Sequence, residues 1–490
     1  MGTGQVGRGS GPRPPPRPPQ LVRGRREHTR PHEPRRLVIG QGARVREHAP
    51  HLHAPHRGHR GDRAPQGGLT RSRTLGRYRV RLPFGLDPDV RGRHQRDSAR
   101  HHRCGRPRPA PREAPQGLRD RGERIVDFTF DEAQQAVADL ADQILDDRLD
   151  TDRLLDIEDA VDVDGAWFDA DLWGSLAAAG LLGIALDEGV GGGGLDAVAL
   201  AILLRAQGSH VAPLPLLPHC VASLAVDRFG SEEQRVRLLP GCADGSHILT
   251  VAVQEYLEDR IRQPGAHVVD GALSGEKIVV EGADLAGHAV VTAIGGDGPG
   301  LFLVDLSGDG ITRTVGRSTR LEPVWRLGFD GTPVEPLAEN GSVPVDWLVD
   351  HLLMAICATQ LGVTERALRL TAEYTSEREQ FGRPLATFQA VTQRLADQFV
   401  NVGGIRLATL SAAWRLAQGL DAREDLLIAK WWASERATEV AHATQHCHGG
   451  MGVAKDYPLH RYTLWNKHLT TSLGAGTQSL RALGSLLAQA

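Results

Sequence analysis

The spacing of apolar residues changes twice along the chain. From Phe128 to about Gly245 it is helical. FTFDEAQQAVADLADQIL carries apolar residues on one helical face, with Asp131 placed to cap its start. WGSLAAAGLLGIAL, LDAVALAILLRAQG and SEEQRVRLLPGCADG follow, separated by Gly and Pro. From about Ser246 to Glu339 the period becomes two. HILTVAVQEY, HVVDGALSGEKIVVEG, HAVVTAI, GLFLVDL, GITRTVG and VWRLGFDG are short β-rich runs, set off by turns at Asp270-Gly271, Asp309-Gly310 and Asp330-Gly331. These predict a small antiparallel barrel or sandwich. From about Val345 the helical period returns. Leu353, Ile356, Gln360, Val363 and Ala367 share one face, as do Val391, Leu395, Phe399, Val402 and Ile405. Four long helices with short links predict a four-helix bundle. The expected class is α+β: a helical domain over 125–245, a β domain over 246–340 and a helical bundle over 341–490.

Residues 1–124 are a different material. They hold 30 Arg, no Lys and 10 acidic residues, about +20, within a chain whose overall charge is −3. Arg, Pro, Gly and His dominate and hydrophobic periodicity is nearly absent, so a disordered basic arm is expected. Nothing in it has the interleaved aromatics of a nucleic-acid platform, and a nucleic-acid partner is not expected. A start codon assigned too far upstream would also account for the arm.

Five cysteines, Cys104, Cys220, Cys242, Cys357 and Cys447, are scattered without a CxxC pair. That is the usage of a reducing cytoplasm, with no metal scaffold. The apolar runs VAPLPLLPHCVASLAV and LDAVALAILL are broken by Pro, His and Arg205, so no membrane span is expected, and no signal peptide is visible.

Two short segments carry chemistry. Glu377-Arg378-x-x-Phe381-Gly382-Arg383-Pro384 reads as a corner between two helices. Gly382 is suited to positive φ there, and Pro384 to opening the next helix. An arginine at such a corner offers a fixed fork to a pyrophosphate, or else ends the helix in a salt bridge. His448-Gly449-Gly450-Met451-Gly452 follows another helix, where glycines let a ligand approach the backbone, or serve as a C-cap. Gly189, Gly191 and Gly194 fit GxGxxG. A helix rather than a strand precedes them, and no acidic residue follows at the right distance, so they read as a loop.

These motifs, with GLLGIALDEGVGGGGLD, APLPLLP and FGSEEQRVRLLP before them, resemble the acyl-CoA dehydrogenases from Phe128 onward. The resemblance implies α,β-dehydrogenation of a CoA thioester with FAD. It carries Arg378, Phe381 and Gln389 to the FAD pyrophosphate end. Gly449 and Gly450 go to the adenosine, beside Gln445 and His446, where the family often has glutamine. Thr477 joins the cofactor residues. The family's Thr-Glu-Pro and Trp-Ile-Thr flavin segments are replaced here, by Val253, Gln254 and Glu255 and, roughly, by Val279, Val280 and Glu281, so their flavin-ring contacts do not carry over residue by residue.

One family residue is missing. The glutamate base precedes Gly-Thr near the C-terminus, where this chain has Ala475 in Leu473-Gly474-Ala475-Gly476-Thr477. Some members place it early in the first bundle helix, at about Leu352 here; Asp350 and Glu365 fit that place poorly. The chain therefore resembles the glutamate-lacking partner subunits of actinobacterial heteromeric, steroid-type enzymes. That likeness implies a homologous partner carrying the glutamate, an acyl-CoA substrate, a separate electron-transfer acceptor and no catalytic residue in this chain. The alternatives are a catalytically silent structural or regulatory subunit, or a flavin monooxygenase of the same fold. His460, Asp456 and Glu255 are the remaining titratable residues to place.

Overall fold

The computed structural model describes Met1 and residues 129–489, apart from 164, 257–260 and 338–344. Apart from Met1, the arm over 1–124 lies outside the described residues, as does Phe128.

Six helices come first: α1 (Glu132–Arg148), α2 (Thr151–Val163), α3 (Ala170–Ala178), α4 (Ala197–His210), α5 (Leu216–Phe229) and α6 (Glu232–Ala243). Asp131 caps α1 as expected, its carboxylate accepting from Gln134 N at 2.8 Å. Ser231 and Gln234 form the same reciprocal cap on α6. The GxGxxG segment lies in a turn and loop between α3 and α4.

Eight strands follow: β1 (Leu249–Ala252), β2 (His267–Val269), β3 (Ala272–Glu281), β4 (His288–Gly295), β5 (Gly298–Asp305), β6 (Ile311–Arg317), β7 (Pro323–Pro333) and β8 (Glu335–Pro336). They make one sheet in the order β6-β7-β3-β2-β4-β5-β8, with β1 also on β4. It is mostly antiparallel, but both β1 and β2 pair parallel with β4. Asp270 and Gly271 form the expected tight hairpin, at φ 50° and 77°. The expected turn at Asp330-Gly331 is not one. The pair lies inside β7, because Asp330 N bonds Gly310 O and β3 continues the ladder past it.

The last third is helical: α7 (Val345–Glu377), α8 (Gln389–Ala417), α9 (Arg423–Trp431), α10 (Ala437–His448), α11 (Leu459–Thr471) and α12 (Gly476–Gln489). A π-turn over Trp432–Arg436 joins α9 and α10 into one long rod, so the bundle is α7, α8, α9–α10 and α11, with α12 added. By length and composition α7 could cross a membrane, which the sequence reading did not weigh. Its most apolar stretch is 89% buried within the protein, as the core helix of the bundle.

One apolar core runs through both helical regions, and a second lies in the sheet. The helical regions meet where α4 crosses α7. A Cβ on Gly208 would stand 1.9 Å from Thr359 O, and one on Gly362 1.9 Å from Arg205 O, so glycine at both places lets the backbones touch.

Candidate functional site

The corner after α7 is a two-residue hairpin. β9 (Glu379–Gln380) pairs with β10 (Arg383–Pro384) through Phe381 and Gly382, both at positive φ (54° and 74°). Gly382 thus behaves as expected, but Pro384 does not open α8. It ends β10, and α8 begins at Gln389 after a short 3-10 turn. Arg378, Phe381 and Gln389 are all exposed, and Phe381 reaches 93%. Among the described residues the Arg378 guanidinium has no hydrogen-bond or ion-pair partner, so it is no helix-ending salt bridge. Arg383 covers the Phe388 ring at 4.0 Å and stiffens the corner.

The glycine turn is tied to the same end of the bundle. His448 is buried and stacks on Tyr374, one turn before Arg378, at 4.3 Å. Its Nδ1 meets Thr444 O and its Nε2 the Tyr457 hydroxyl. Gly449 has φ 60° and ψ −134°. Side chains added at Gly449 or Gly450 would meet nothing within 4 Å, so the backbone there is open to a ligand. Gln445 donates from Nε2 to Gly449 O at 3.0 Å, leaving its buried Oε1 without a partner. His446 is exposed.

Thr477 does not join this group. The Ala475–Thr477 turn starts α12 beside the π-turn, where Gly476 packs against Glu435. From Glu435 to His448 the rod rises roughly 20 Å. Within one chain the expected cofactor residues therefore lie in two outward-facing places, the hairpin and glycine turn at one end of the rod and Thr477 further along it.

Between the domains lies an open cleft of about 500 Å³. The sheet supplies Val253, Gln254, Val279 and Glu281, and α7 and α11 supply Leu352, Ile356 and Leu469. The two segments matched to the family's flavin contacts thus flank one cleft. Leu352, at the alternative base position, is 3% exposed on its wall. Leu473, two residues before Ala475, also lines it.

Glu281 is the one carboxylate on that wall among the described residues, and the sequence reading gave it no such role. Burial alone would raise its pKa, but the Arg320 charge and a hydrogen bond from His468 outweigh burial and hold it at about 2. Arg320 Nη2 lies 2.8 Å from Glu281, and His468 Nε2 lies 2.7 Å from it. A carboxylate so firmly ionised is a poor proton acceptor. Glu281 and His468 are 187 residues apart, and no local pattern announces the pair.

The other titratable candidates lie elsewhere. Glu255 takes Lys277 Nζ at 2.6 Å and the Gly265 and Ala266 amides at 2.7 and 3.0 Å, so it closes a loop. His460 bonds Tyr457 O and stands 3.8 Å from Glu158, and Asp456 is exposed. Glu365 is spent on Arg205 and Arg406, and Asp350 on Arg262.

Comparison with known proteins gives consistent matches. "Acyl-CoA dehydrogenase, N-terminal domain" matches residues 131–246, and "Acyl-CoA dehydrogenase, C-terminal domain" matches residues 345–483. Acyl-CoA dehydrogenase FadE27 of Mycobacterium tuberculosis is 36% identical over 374 residues, 74% of this chain and 99% of that protein. FadE28 of the same organism is 32% identical over 364 residues, 74% of this chain and 98% of that protein. Among solved structures, a variant of the Tcur3481-Tcur3483 steroid ACAD is 43% identical, with TM-score 0.69 over 73% of this chain and 98% of that one. The ChsE4-ChsE5 complex from Mycobacterium tuberculosis is 35% identical, with TM-score 0.70 over 74% of this chain and 100% of that one.

Proposed function

We propose, from the premise that this chain belongs to the acyl-CoA dehydrogenase family and is an oxidoreductase of that family, that it works as one subunit of a mixed assembly. That assembly oxidises a bulky, steroid-type CoA thioester between its α and β carbons in the cytoplasm, and passes the electrons to a separate acceptor. The observation that carries the reading is the mismatch between rim and cleft. The rim exposes the residues that the family resemblance assigns to FAD, while both places where the base could stand, Ala475 and Leu352, are apolar.

The rim fits FAD at its phosphate and adenosine end. Arg378 is an unpaired, exposed guanidinium suited to a pyrophosphate charge. Gly449 and Gly450 leave backbone open, with the orphaned Gln445 Oε1 beside them. FAD, when bound, supplies the two-electron acceptor. Phe381 and Gln389 would flank the phosphates, and Thr477 and His446 face outward where another subunit would complete a site.

This chain's cleft does a different job. Leu352, Ile356 and Leu469 give it an apolar wall. Glu281 adds a fixed negative charge, and no group there is tuned to take an α-proton. Proton removal is accordingly assigned to a homologous partner bearing the glutamate. The steroid and two-protein names of the similar structures support the substrate class and the mixed assembly.

The test is co-expression with a homologue that has its glutamate. The two should co-purify as one oligomer with bound FAD and oxidise acyl-CoA. Replacing the partner's glutamate with glutamine should abolish activity, whereas Ala475→Gly should leave it in place. Failure to co-purify, or activity indifferent to the partner's glutamate, contradicts the reading.

A further inference from the structure

Behind the rim lies a cluster of three rings. His448, at the end of α10, stacks on Tyr374 of α7 with centroids 4.3 Å apart. Tyr457, in the turn before α11, stands 5.2 Å from the first ring and 6.1 Å from the second. His448 is 5% exposed, whereas Arg378, Gly449 and Gly450 outside it are open to solvent. A contact that only filled space would need no more than a phenylalanine there. Histidine brings two ring nitrogens, which burial penalises unless each is paired. Both are paired. A carbonyl can only accept, so in the neutral ring Nδ1 carries the proton and donates to Thr444 O at 2.9 Å. Nε2 is then the acceptor and takes the Tyr457 hydroxyl at 3.0 Å. Burial holds the ring below the usual histidine range, which keeps it neutral at pH 7.

Each ring is attached to one piece of the rim. Tyr374 O accepts from Arg378 N at 2.8 Å, and Arg378 O accepts from Leu385 N at 2.8 Å, which closes the base of the hairpin. His448 directly precedes Gly449. Tyr457 N donates to Ala454 O and Ala454 N to Met451 O, each at 3.2 Å, so Tyr457 closes the far side of the glycine turn. On the outward side nothing comparable exists. No side chain among the described residues engages the Arg378 guanidinium, and a Cβ at Gly449 or Gly450 would meet nothing within 4 Å. The rim is thus held from behind, through the three rings.

We propose that His448 is a positioning residue for FAD: through Tyr374 and Tyr457 it sets the spacing between the Arg378 fork and the Gly449-Gly450 backbone, so that one dinucleotide meets both. The proposal rests on the reading of the rim as the phosphate and adenosine end of an FAD site. A buried ring with both nitrogens paired specifies one arrangement, where an apolar contact tolerates several. A pyrophosphate and an adenosine joined by covalent bonds need that spacing held before they bind. His448 itself touches no ligand in this account.

Hydrogen exchange of the full chain without FAD tests the clamp by itself. Tyr457→Phe removes one hydroxyl and keeps the ring. It should speed exchange roughly threefold to tenfold at the Arg378 and Leu385 amides, which Tyr457 reaches only through the rings. FAD affinity is then read in the mixed assembly, by titrating the apo form and following flavin fluorescence. Tyr457→Phe should weaken FAD roughly threefold to tenfold, and His448→Phe, which keeps the stack but loses both ring bonds, about tenfold or more. His448→Gln can still accept from Tyr457 and should recover part of that loss. In an Arg378→Ala background the Tyr457→Phe loss should shrink, because a fork that is gone cannot be misplaced. Unchanged exchange at Arg378 and Leu385 overturns the clamp. A parent assembly that takes up FAD no better than both Phe variants overturns the positioning role, and so does a Tyr457→Phe loss that is equal with and without Arg378. A parent assembly that holds no FAD overturns the reading of the rim and this proposal with it, while the exchange data separately report whether the rings join the two segments. If His448→Phe misfolds, as judged by circular dichroism, Tyr457→Phe decides.

Discussion

The rim at the end of the bundle and the cleft between the domains teach opposite lessons. On the rim, Arg378, Phe381, Gln389, Gly449 and Gly450 are all exposed, and the Arg378 side chain is engaged by no neighbour among the described residues. Their chemistry is kept in short contiguous motifs, because one hairpin and one turn suffice to present it. In the cleft, the wall is assembled from α5, β1, β3, α7 and α11, and its chemistry turns on single side chains such as Leu352 and Glu281. The proposed function reads this contrast as that of a subunit that lends part of a site.

The sharpest way to separate the rim from the packed helices behind the cleft is a methyl group in each. Gly362→Ala puts a Cβ 1.9 Å from Arg205 O and forces α4 and α7 apart, so a loss of roughly 3 kcal/mol or more, or failure to fold, is expected in denaturant unfolding. Gly450→Ala on the rim meets nothing within 4 Å and should stay within about 0.5 kcal/mol of the parent. Equal effects would mean that the rim is structural after all.

Acid tests the buried side alone. Burial holds His219 and His351 at about 4, against roughly 6.5 in an unfolded chain. Their folded pKa values are depressed, so above pH 6.5 neither state binds the proton and stability is full. Between 6.5 and 4 only the unfolded chain takes up protons, and stability falls by up to about 3 kcal/mol per histidine, then levels off below pH 4. Replacing both histidines with glutamine should flatten that slope in urea titrations run from pH 7 to 4. A slope that survives the double replacement places the acid sensitivity elsewhere.

The rim is tested through its ligand. Arg378→Ala should weaken FAD binding on the order of tenfold to a hundredfold, a loss of roughly 1.5–3 kcal/mol, while thermal stability barely moves. Arg378→Lys should recover only part of it, since an ammonium cannot copy the fork. Unchanged flavin content in the Ala variant under limiting FAD would remove Arg378 from the site.

Local features were readable in advance and non-local ones were not. The change of period from helix to strand and back, the Asp131 cap and the Asp270-Gly271 and Gly382 turns depend on neighbours in the chain, and they stand as expected. The parallel pairing of β1 and β2 with β4 depends on partners far away, and the period-two pattern could not carry it. Asp330-Gly331 has turn composition but lies within β7, where ladder bonds override it. Thr477 sits in a motif beside Ala475, yet lies along the rod from the glycine turn, a distance that sequence spacing does not encode. The charges around Glu281 and Arg320 come from the sheet and α11, and only the fold brings them together.

The most direct test is turnover by the purified chain alone, with FAD and an electron acceptor supplied. A positioned base is typically worth 10²–10⁴ in rate, and neither Ala475 nor Leu352 can act as one. The account predicts at most trace oxidation of any acyl-CoA by this chain as a homo-oligomer, with activity appearing when a glutamate-bearing partner is added. Robust turnover without that partner would contradict it.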